Sequence, residues 1–256
     1  MSIPPINQSS LKTAWKKGWK YFYAAHIAKT IPPKSESYFA VGSAIHLFLL
    51  ENAKFKERVI EIPKDVLGKG DKKNTTAWDN FAEANKDKVL LKPAEMQSVL
   101  ACVESIMQHP SAMEILAAPA HIEQPIGAEI FGVKARSVPD ICLQRGGVVV
   151  DVKSTSTVDE YEFRSQVRKL GYHIQAAWYL ELCTAFYGKR YSQFVFIAVE
   201  TEPPYRCRCY YLDEAFLYDG HMIAEQLAQE YARRYAASDW LEDCDRNIIL
   251  IEKGKW

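Results

Sequence analysis

Apolar positions recur at helical spacing in the first half of the chain and gather into short alternating or continuous runs after residue 120. From Tyr38 to Leu50, residues Val41, Ala44, Ile45, Phe48 and Leu49 share one helical face, which predicts a buried helix carrying a single histidine, His46. Residues 66–76 (VLGKGDKKNTT) read as a loop, and helices are expected over Ala77–Lys88 and Pro93–Gln108. Beyond His121, the segments Ile122–Gly127, Glu129–Arg136, Asp140–Leu143 and Val148–Lys153 are β-rich, with a turn at Arg145-Gly146-Gly147. A helical stretch over Val158–Phe186 breaks near Gly171. The strands Gln193–Val199 and Tyr205–Leu212 meet at Glu202-Pro203-Pro204, and an amphipathic helix closes the pattern over Ala215–Ala236. This order predicts an α/β fold with a mixed central sheet flanked by helices and a helical N-terminal layer. We expect one domain across 1–256, with residues 1–118 mainly helical, 119–212 forming the sheet core, and 213–256 a helix and tail.

Composition supports a globular chain: of 256 residues, 48% are apolar and 25% charged. Formal charge is zero, 32 basic against 32 acidic side chains, which excludes a monomeric, strongly basic DNA-binding protein. The charge is unevenly spread. Residues 1–34 hold six lysines (Lys12, Lys16, Lys17, Lys20, Lys29, Lys34) and no acid, while 211–247 hold nine acids against Arg233, Arg234 and Arg246. The early lysines interleave with Trp15, Trp19, Tyr21, Phe22 and Tyr23. That mixture suits either a phosphate track with base-stacking platforms or an amphipathic helix with its aromatics packed inward. The packing reading is favoured for the aromatics, and the lysines stay open to either. No apolar run reaches the ~18–20 residues of a membrane span, and Met1–Ser10 has no signal-peptide core. The cysteines (Cys102, Cys142, Cys183, Cys207, Cys209, Cys244) lack zinc-site spacing, which predicts reduced thiols and a cytoplasmic location.

The chemistry concentrates in Pro139-Asp140 and, eleven residues on, Asp151-Val152-Lys153. Asp151 and Lys153 share a strand face because side chains alternate. If the two strands pair across Arg145-Gly146-Gly147, Asp140 faces Asp151. Two buried carboxylates repel unless a cation compensates them, and carboxylates with a backbone carbonyl suit Mg²⁺ or Mn²⁺. The plainer alternative is a strand-end ion pair beside an aspartate in a turn. Further along the chain, Gln175 lies 22 residues after Lys153, and Tyr179 follows it at i+4 on the same helical face.

These segments together resemble the PD-(D/E)XK nuclease superfamily, and within it the phage recombination exonucleases of the RecE and lambda exonuclease type. The likeness is carried by Pro139-Asp140, Asp151-Val152-Lys153-Ser154-Thr155 and Gly171-Tyr172-His173-Ile174-Gln175-Ala176-Ala177-Trp178-Tyr179. Upstream, Gly42-Ser43-Ala44-Ile45-His46 and Ser9-Ser10-Leu11-Lys12 extend it, so that it spans roughly residues 8–200. The resemblance implies that Asp140, Asp151, the backbone carbonyl of Val152, and His46 hold metal, and that Lys153 is the catalytic lysine. It also implies an acidic residue on the first core strand, Glu123, with Glu129 as the rival. Gln175 and Tyr179 would support the site and contact the DNA backbone. Lys12, Ser43, Ser10 and Arg136 are candidates for holding phosphate. Arg136 stands three residues before Pro139, whereas RecE-like chains place an arginine directly before the Pro-Asp.

By the same resemblance, the expected activity is Mg²⁺-dependent (or Mn²⁺-dependent) 5′→3′ degradation of one strand of linear duplex DNA, using two ions and leaving 3′ single-stranded tails. Expected partners are DNA ends, a single-strand annealing protein, and copies of the chain in a ring, a trimer or alternatively a tetramer. In such a ring, basic segments near 12–20 and 134–169 would line a channel while 211–247 faces away. The rivals are a RecB-type or CRISPR-associated PD-(D/E)XK nuclease, whose four-cysteine cluster spacing is missing here, and a non-catalytic DNA-binding module.

Overall fold

A computed structural model of the chain describes residues 3–32, 40–242 and 245. Helix α1 (Gln8–Phe22) is capped by Asn7, whose side chain accepts from Ser10 N. A kink at Gly18 interrupts it, and it runs on into a π-helical turn at Tyr23–Ile27. Trp19 and Phe22 are buried and pack on Tyr231 and Trp240, so these aromatics serve the core. Helices α2 (Ala40–Leu50) and α3 (Asn52–Arg58) follow, then strand β1 (Val59–Glu61) and a 3₁₀ turn at Lys64–Val66. Next come α4 (Thr76–Ala84), β2 (Val89–Leu91), α5 (Pro93–Gln108) and α6 (Pro110–Ala117). β1 and β2 pair in parallel, a two-stranded sheet that three-residue strands were too short to announce by alternation.

The core elements are β3 (Ala120–Ile122), β4 (Ile126–Ile130), β5 (Val133–Ser137), β6 (Ile141–Leu143) and β7 (Val148–Thr155). They continue through α7 (Glu160–Lys169), α8 (Tyr172–Tyr187), β8 (Gln193–Glu200), β9 (Cys207–Tyr211) and α9 (Glu214–Ala237). The five-stranded sheet has the order β3-β6-β7-β8-β9. β7 and β8 are parallel across the α7–α8 connection, and the other pairs are antiparallel. This is the mixed sheet with flanking helices that the pattern predicted. The four β segments expected after residue 120 do not all join that sheet, however. The run expected over 122–127 ends at Glu123, which has φ +47, and at Pro125, which has no N–H for the ladder. β4 and β5 then leave as a separate hairpin, tied to the N-terminus by Ile6 N donating to Lys134 O.

Both sheet faces are buried, which is why β7 and β8 read as nearly continuous apolar runs. Val149, Phe194, Phe196 and Ala198 pack beneath α1, α8 and α9. Val150, Val152, Ile197 and Val199 pack beneath α2 and α5. The charge split predicted from the sequence is modified where the two segments meet: Lys20 pairs with Asp245 at 3.2 Å, and Glu242 accepts from Trp19 N. The kink at Gly18 frees that N–H, and the acidic tail supplies its acceptor, so the tail packs on α1 and does not face away from it. Cys102, Cys142 and Cys183 are buried free thiols, and Cys207 and Cys209 share a half-buried face of β9. Cys244, Lys34, Arg246 and the first residues of the helix expected from Tyr38 lie outside the described residues. Among those described, no helix is long and apolar enough to cross a membrane.

Candidate active site

The site begins where β6 stops pairing. Ile141 and Cys142 pair with Val150 and Val149, which sets Asp140 one step further along, opposite Asp151. There the ladder ends, and the Asp140 carboxylate takes the place of a strand carbonyl: its Oδ2 accepts from Val152 N at 2.7 Å. Asp151 is only 1% exposed in the middle of an apolar strand. Its Oδ1 accepts from Gln175 Nε2 at 2.6 Å. Its Oδ2 lies 2.6 Å from Lys153 Nζ yet receives no well-directed hydrogen bond, so it is a buried oxygen with capacity to spare. Gln175 reaches the strand because α8 starts at Gly171 in a left-handed conformation and lays its buried face, with Gln175 and Tyr179 one turn apart, on the sheet.

From the other side, α2 carries His46 to the strand edge that β6 has vacated. His46 Nε2 lies 2.8 Å from Val152 O and donates there, since a carbonyl has no proton to give, which leaves Nδ1 facing the carboxylates. Nδ1 is 3.6 Å from Asp140 Oδ2 and 4.0 Å from Glu123 Oε1. Glu123 is held in place by its own N–H donating to Asp140 O at 3.0 Å. Ligand atoms of His46, Glu123 and Asp140 all fall within 4.8 Å of one another.

Electrostatics match this crowding. Burial, and then the charge of Asp151, push the Asp140 carboxyl up to about 7. Burial opposes charge on His46, but Glu123, Asp140 and Asp151 outweigh it and raise the imidazole to about 9. Burial likewise disfavours the Lys153 ammonium, yet the carboxylates of Asp151 and Asp140 hold it above its ordinary value. The imidazole of His46 and the carboxylates of Glu123 and Asp140 form a donor set that fits a hard divalent cation, and Asp151 Oδ2, which has no hydrogen bond beyond its ion pair with Lys153, stands on the neighbouring strand.

Two carboxylates on antiparallel neighbours, with a lysine two residues beyond the second, are the PD…DXK arrangement in three dimensions. The chain matches a family described as a PDDEXK-like domain of unknown function (DUF3799) over residues 9–248. It belongs to this family. Among solved structures, it aligns with a protein of Eubacterium rectale named as a proposed exonuclease. That alignment has a TM-score of 0.62 and 15% identity, over 98% of this chain and 91% of the other, and it establishes a shared fold. A phage-related exonuclease of Haemophilus somnus 129PT aligns over 77% of this chain and 94% of its own, at 15% identity and a TM-score of 0.37. No curated protein matches.

The other residues of this PDDEXK-like domain fall into place around that centre. Lys12 Nζ donates to Gln175 Oε1 at 3.1 Å. Tyr179 is buried, with Gln8 Nε2 3.4 Å from its hydroxyl. A cavity of about 400 Å³ opens beside it, lined by Gln8, Ser9, Arg136 and Ser137 among others. Arg136 is exposed on β5 at that cavity, apart from the carboxylates. Ser43 lies on α2 one turn before His46, and Ser10 is buried with its hydroxyl donating to Asn7 O. Glu129 is exposed on the β4–β5 hairpin, whereas Glu123 stands in the cluster, just past the end of β3 and not within a strand. Sequence reasoning missed Tyr172, whose ring lies 4.9 Å from Lys153 Nζ and 5.7 Å from Lys12 Nζ; its place beside Gly171 in the helix-opening segment was the available signal. The remaining histidines are structural. His109 caps α6, His121 stacks on Tyr187, His173 is buried with Nδ1 3.1 Å from Val167 O, His221 pairs with Glu181, and His26 contacts Thr13.

Proposed function

We propose that the chain is a metal-dependent DNA nuclease that hydrolyses phosphodiester bonds. The observation that carries this reading is the convergence of Asp140, Asp151 and Lys153 with His46 and Glu123 within a PDDEXK-like fold. Asp140, Asp151, His46, Glu123 and the Val152 carbonyl are the groups that would hold Mg²⁺ or Mn²⁺. The metal supplies Lewis acidity toward the scissile phosphate and lowers the pKa of water. Gln175 orients Asp151 through Oδ1. The carboxylates that keep Lys153 protonated are the same ones a cation neutralises. Were they committed to a cation, burial would be the main influence left on Lys153, and its proton would be easier to lose. A lysine in that state suits accepting a proton from the attacking water or stabilising charge that develops on the phosphate.

At finer resolution we propose a 5′→3′ exonuclease on linear duplex DNA that leaves 3′ tails for a strand-annealing partner, acting as a ring of three or four copies in a bacterial or phage-infected cytoplasm. The support is the RecE-like and lambda-exonuclease-like pattern of Gln175, Tyr179, His46 and the Ser9–Lys12 opening. The test is digestion of linear duplex labelled at either end, with Mg²⁺, with Mn²⁺ and with chelator. Metal-dependent release from the 5′ end alone is expected. Release from both ends rejects the polarity, and no cleavage with either metal rejects the nuclease.

A further inference from the structure

We propose that Lys12 is a positioning residue for the hydrolytic site: it locks the side-chain amide of Gln175 so that Nε2 faces Asp151 Oδ1, which holds the Asp151 carboxylate, paired through Oδ2 with Lys153, in place beside the candidate cation site. This rests on the nuclease reading above and adds a residue that acts through another.

An amide has two unlike ends of nearly equal size, and only its neighbours decide which way it points. Here both ends are engaged. Gln175 Nε2 donates to Asp151 Oδ1 at 2.6 Å, and Gln175 Oε1 accepts from Lys12 Nζ at 3.1 Å. Flipping the amide would set its oxygen against a buried carboxylate and its NH₂ against an ammonium, two repulsions in place of two hydrogen bonds. Asp151 alone could prefer the right end. Lys12 makes the wrong end unfavourable a second time and ties the buried amide to a different element, α1.

Lys12 is itself firmly placed. α1 starts at the Asn7 cap, and the Lys12 stem then passes over the first turn of α8. The approach is close enough that a Cβ on Gly171 would come 3.2 Å from Lys12 Cδ and 3.0 Å from Trp15 Cζ3, and Gly171 has φ +65 besides. Burial first, and then the charge of Lys153, lower the Lys12 pKa to about 8, against a smaller opposing pull from Asp151. A lysine held where burial and a second lysine both disfavour its charge needs a specific acceptor, and Gln175 Oε1 is that acceptor.

The experiment compares Lys12→Met, which keeps an apolar stem without a donor, with Lys12→Arg, which keeps a donor. Each is made alone and with Gln175→Ala. Mn²⁺ binding is followed by calorimetry on the chain without DNA, and kcat and KM on end-labelled duplex. Changes in groups that orient metal ligands typically cost ~10–100-fold in metal affinity or activity. Lys12→Met is expected to weaken Mn²⁺ binding and lower kcat by about tenfold, with KM for DNA within about twofold and Lys12→Arg recovering most of the loss. In the Gln175→Ala background, Lys12→Met is expected to cost nothing further. Equal losses in both backgrounds overturn the proposal, as does a raised KM with unchanged kcat and Mn²⁺ affinity, which would make Lys12 a DNA-holding cation. Lys12→Gln, too short to reach Gln175, replaces the methionine variant should that one not fold. If the wild-type chain binds Mn²⁺ but cuts no DNA, the nuclease reading fails while the calorimetric coupling still decides this one. If it binds no Mn²⁺, both fail.

Discussion

At the scale of single residues, Asp140, Asp151, His46 and Lys153 form a set of charges that is balanced only approximately without a cation. Asp140 at about 7 and His46 at about 9 both lie above their ordinary values. A carboxyl with a raised folded pKa loses folding stability as pH climbs from its unfolded value through about 7. A histidine with a raised pKa contributes stability below about 6.5, and this is lost as pH rises through about 9. The two act in the same direction. The metal-free chain is therefore expected to melt at a lower temperature at pH 9 than at pH 6.5, and Mg²⁺ is expected to restore more at the higher pH, where these groups have shed their protons. Thermal melts at both values with and without Mg²⁺ check this, and a metal effect larger at pH 6.5 contradicts it. Lys153→Ala is expected to lower the cleavage rate by at least about a hundredfold while DNA binding in a mobility-shift assay persists. Asp151 and Lys153 were legible as a pair because a period-two strand places alternate residues on one face wherever the strand lies, whereas Asp140 opposite Asp151 depended on the two strands pairing, as they do. Glu123 was ambiguous against Glu129, since choosing between them needed the point where β3 ends.

At the scale of elements, helix boundaries with local signals were read closely. α5 matches the expected Pro93–Gln108, with proline in its first turn and Glu95 accepting from Lys92 N. α7 and α8 divide at Gly171, as the break in the pattern predicted. α3, α6 and the β1–β2 pair went unseen because short elements have no period to display. The α8–α9 contact shows how strongly packing constrains an element: a Cβ on Gly220 would lie 2.1 Å from His173 O, and backbone cannot move aside as a flexible side chain can. Gly220→Ala is expected to force α9 away from α8 and cost ~1–3 kcal/mol, the usual range for overpacking, read as a lower denaturant midpoint at unchanged slope. A midpoint equal to wild type would mean that the helices part without strain. Asn7→Ala removes the α1 cap and is expected to cost ~1 kcal/mol, measured by the same unfolding curve. Because α1 carries Lys12, the same variant is expected to weaken Mn²⁺ binding.

At the scale of the whole molecule, a net charge of zero hides a lysine-rich start and an acid-rich end that partly neutralise each other by contact, through Lys20 with Asp245 and Glu242 at the α1 kink. Long-range attraction of DNA would therefore be weak, and the proposed exonuclease would need another means of retention, which the proposed ring would supply by enclosure. Light scattering in solution is expected to give the mass of three or four chains. A monomer that digests long duplexes without release would remove the ring from the account. DNA binding is still expected to weaken as salt rises, since any phosphate contact releases counterions.

Sequence alone determined the longer elements and the mixed α/β class, which depend on local periodicities that hold in any fold, while the candidate residues at the centre were named through their resemblance to a family pattern. Tertiary structure decided what spacing cannot carry. It set where β6 stops pairing, so that Asp140 turns onto Val152, and it took the β4–β5 hairpin out of the sheet. It also brought Glu123 to His46 and delivered Lys12 to Gln175 across 163 positions of chain. Each of these is a hydrogen bond or close contact between distant segments, and its geometry exists only once the two faces of the sheet have been packed.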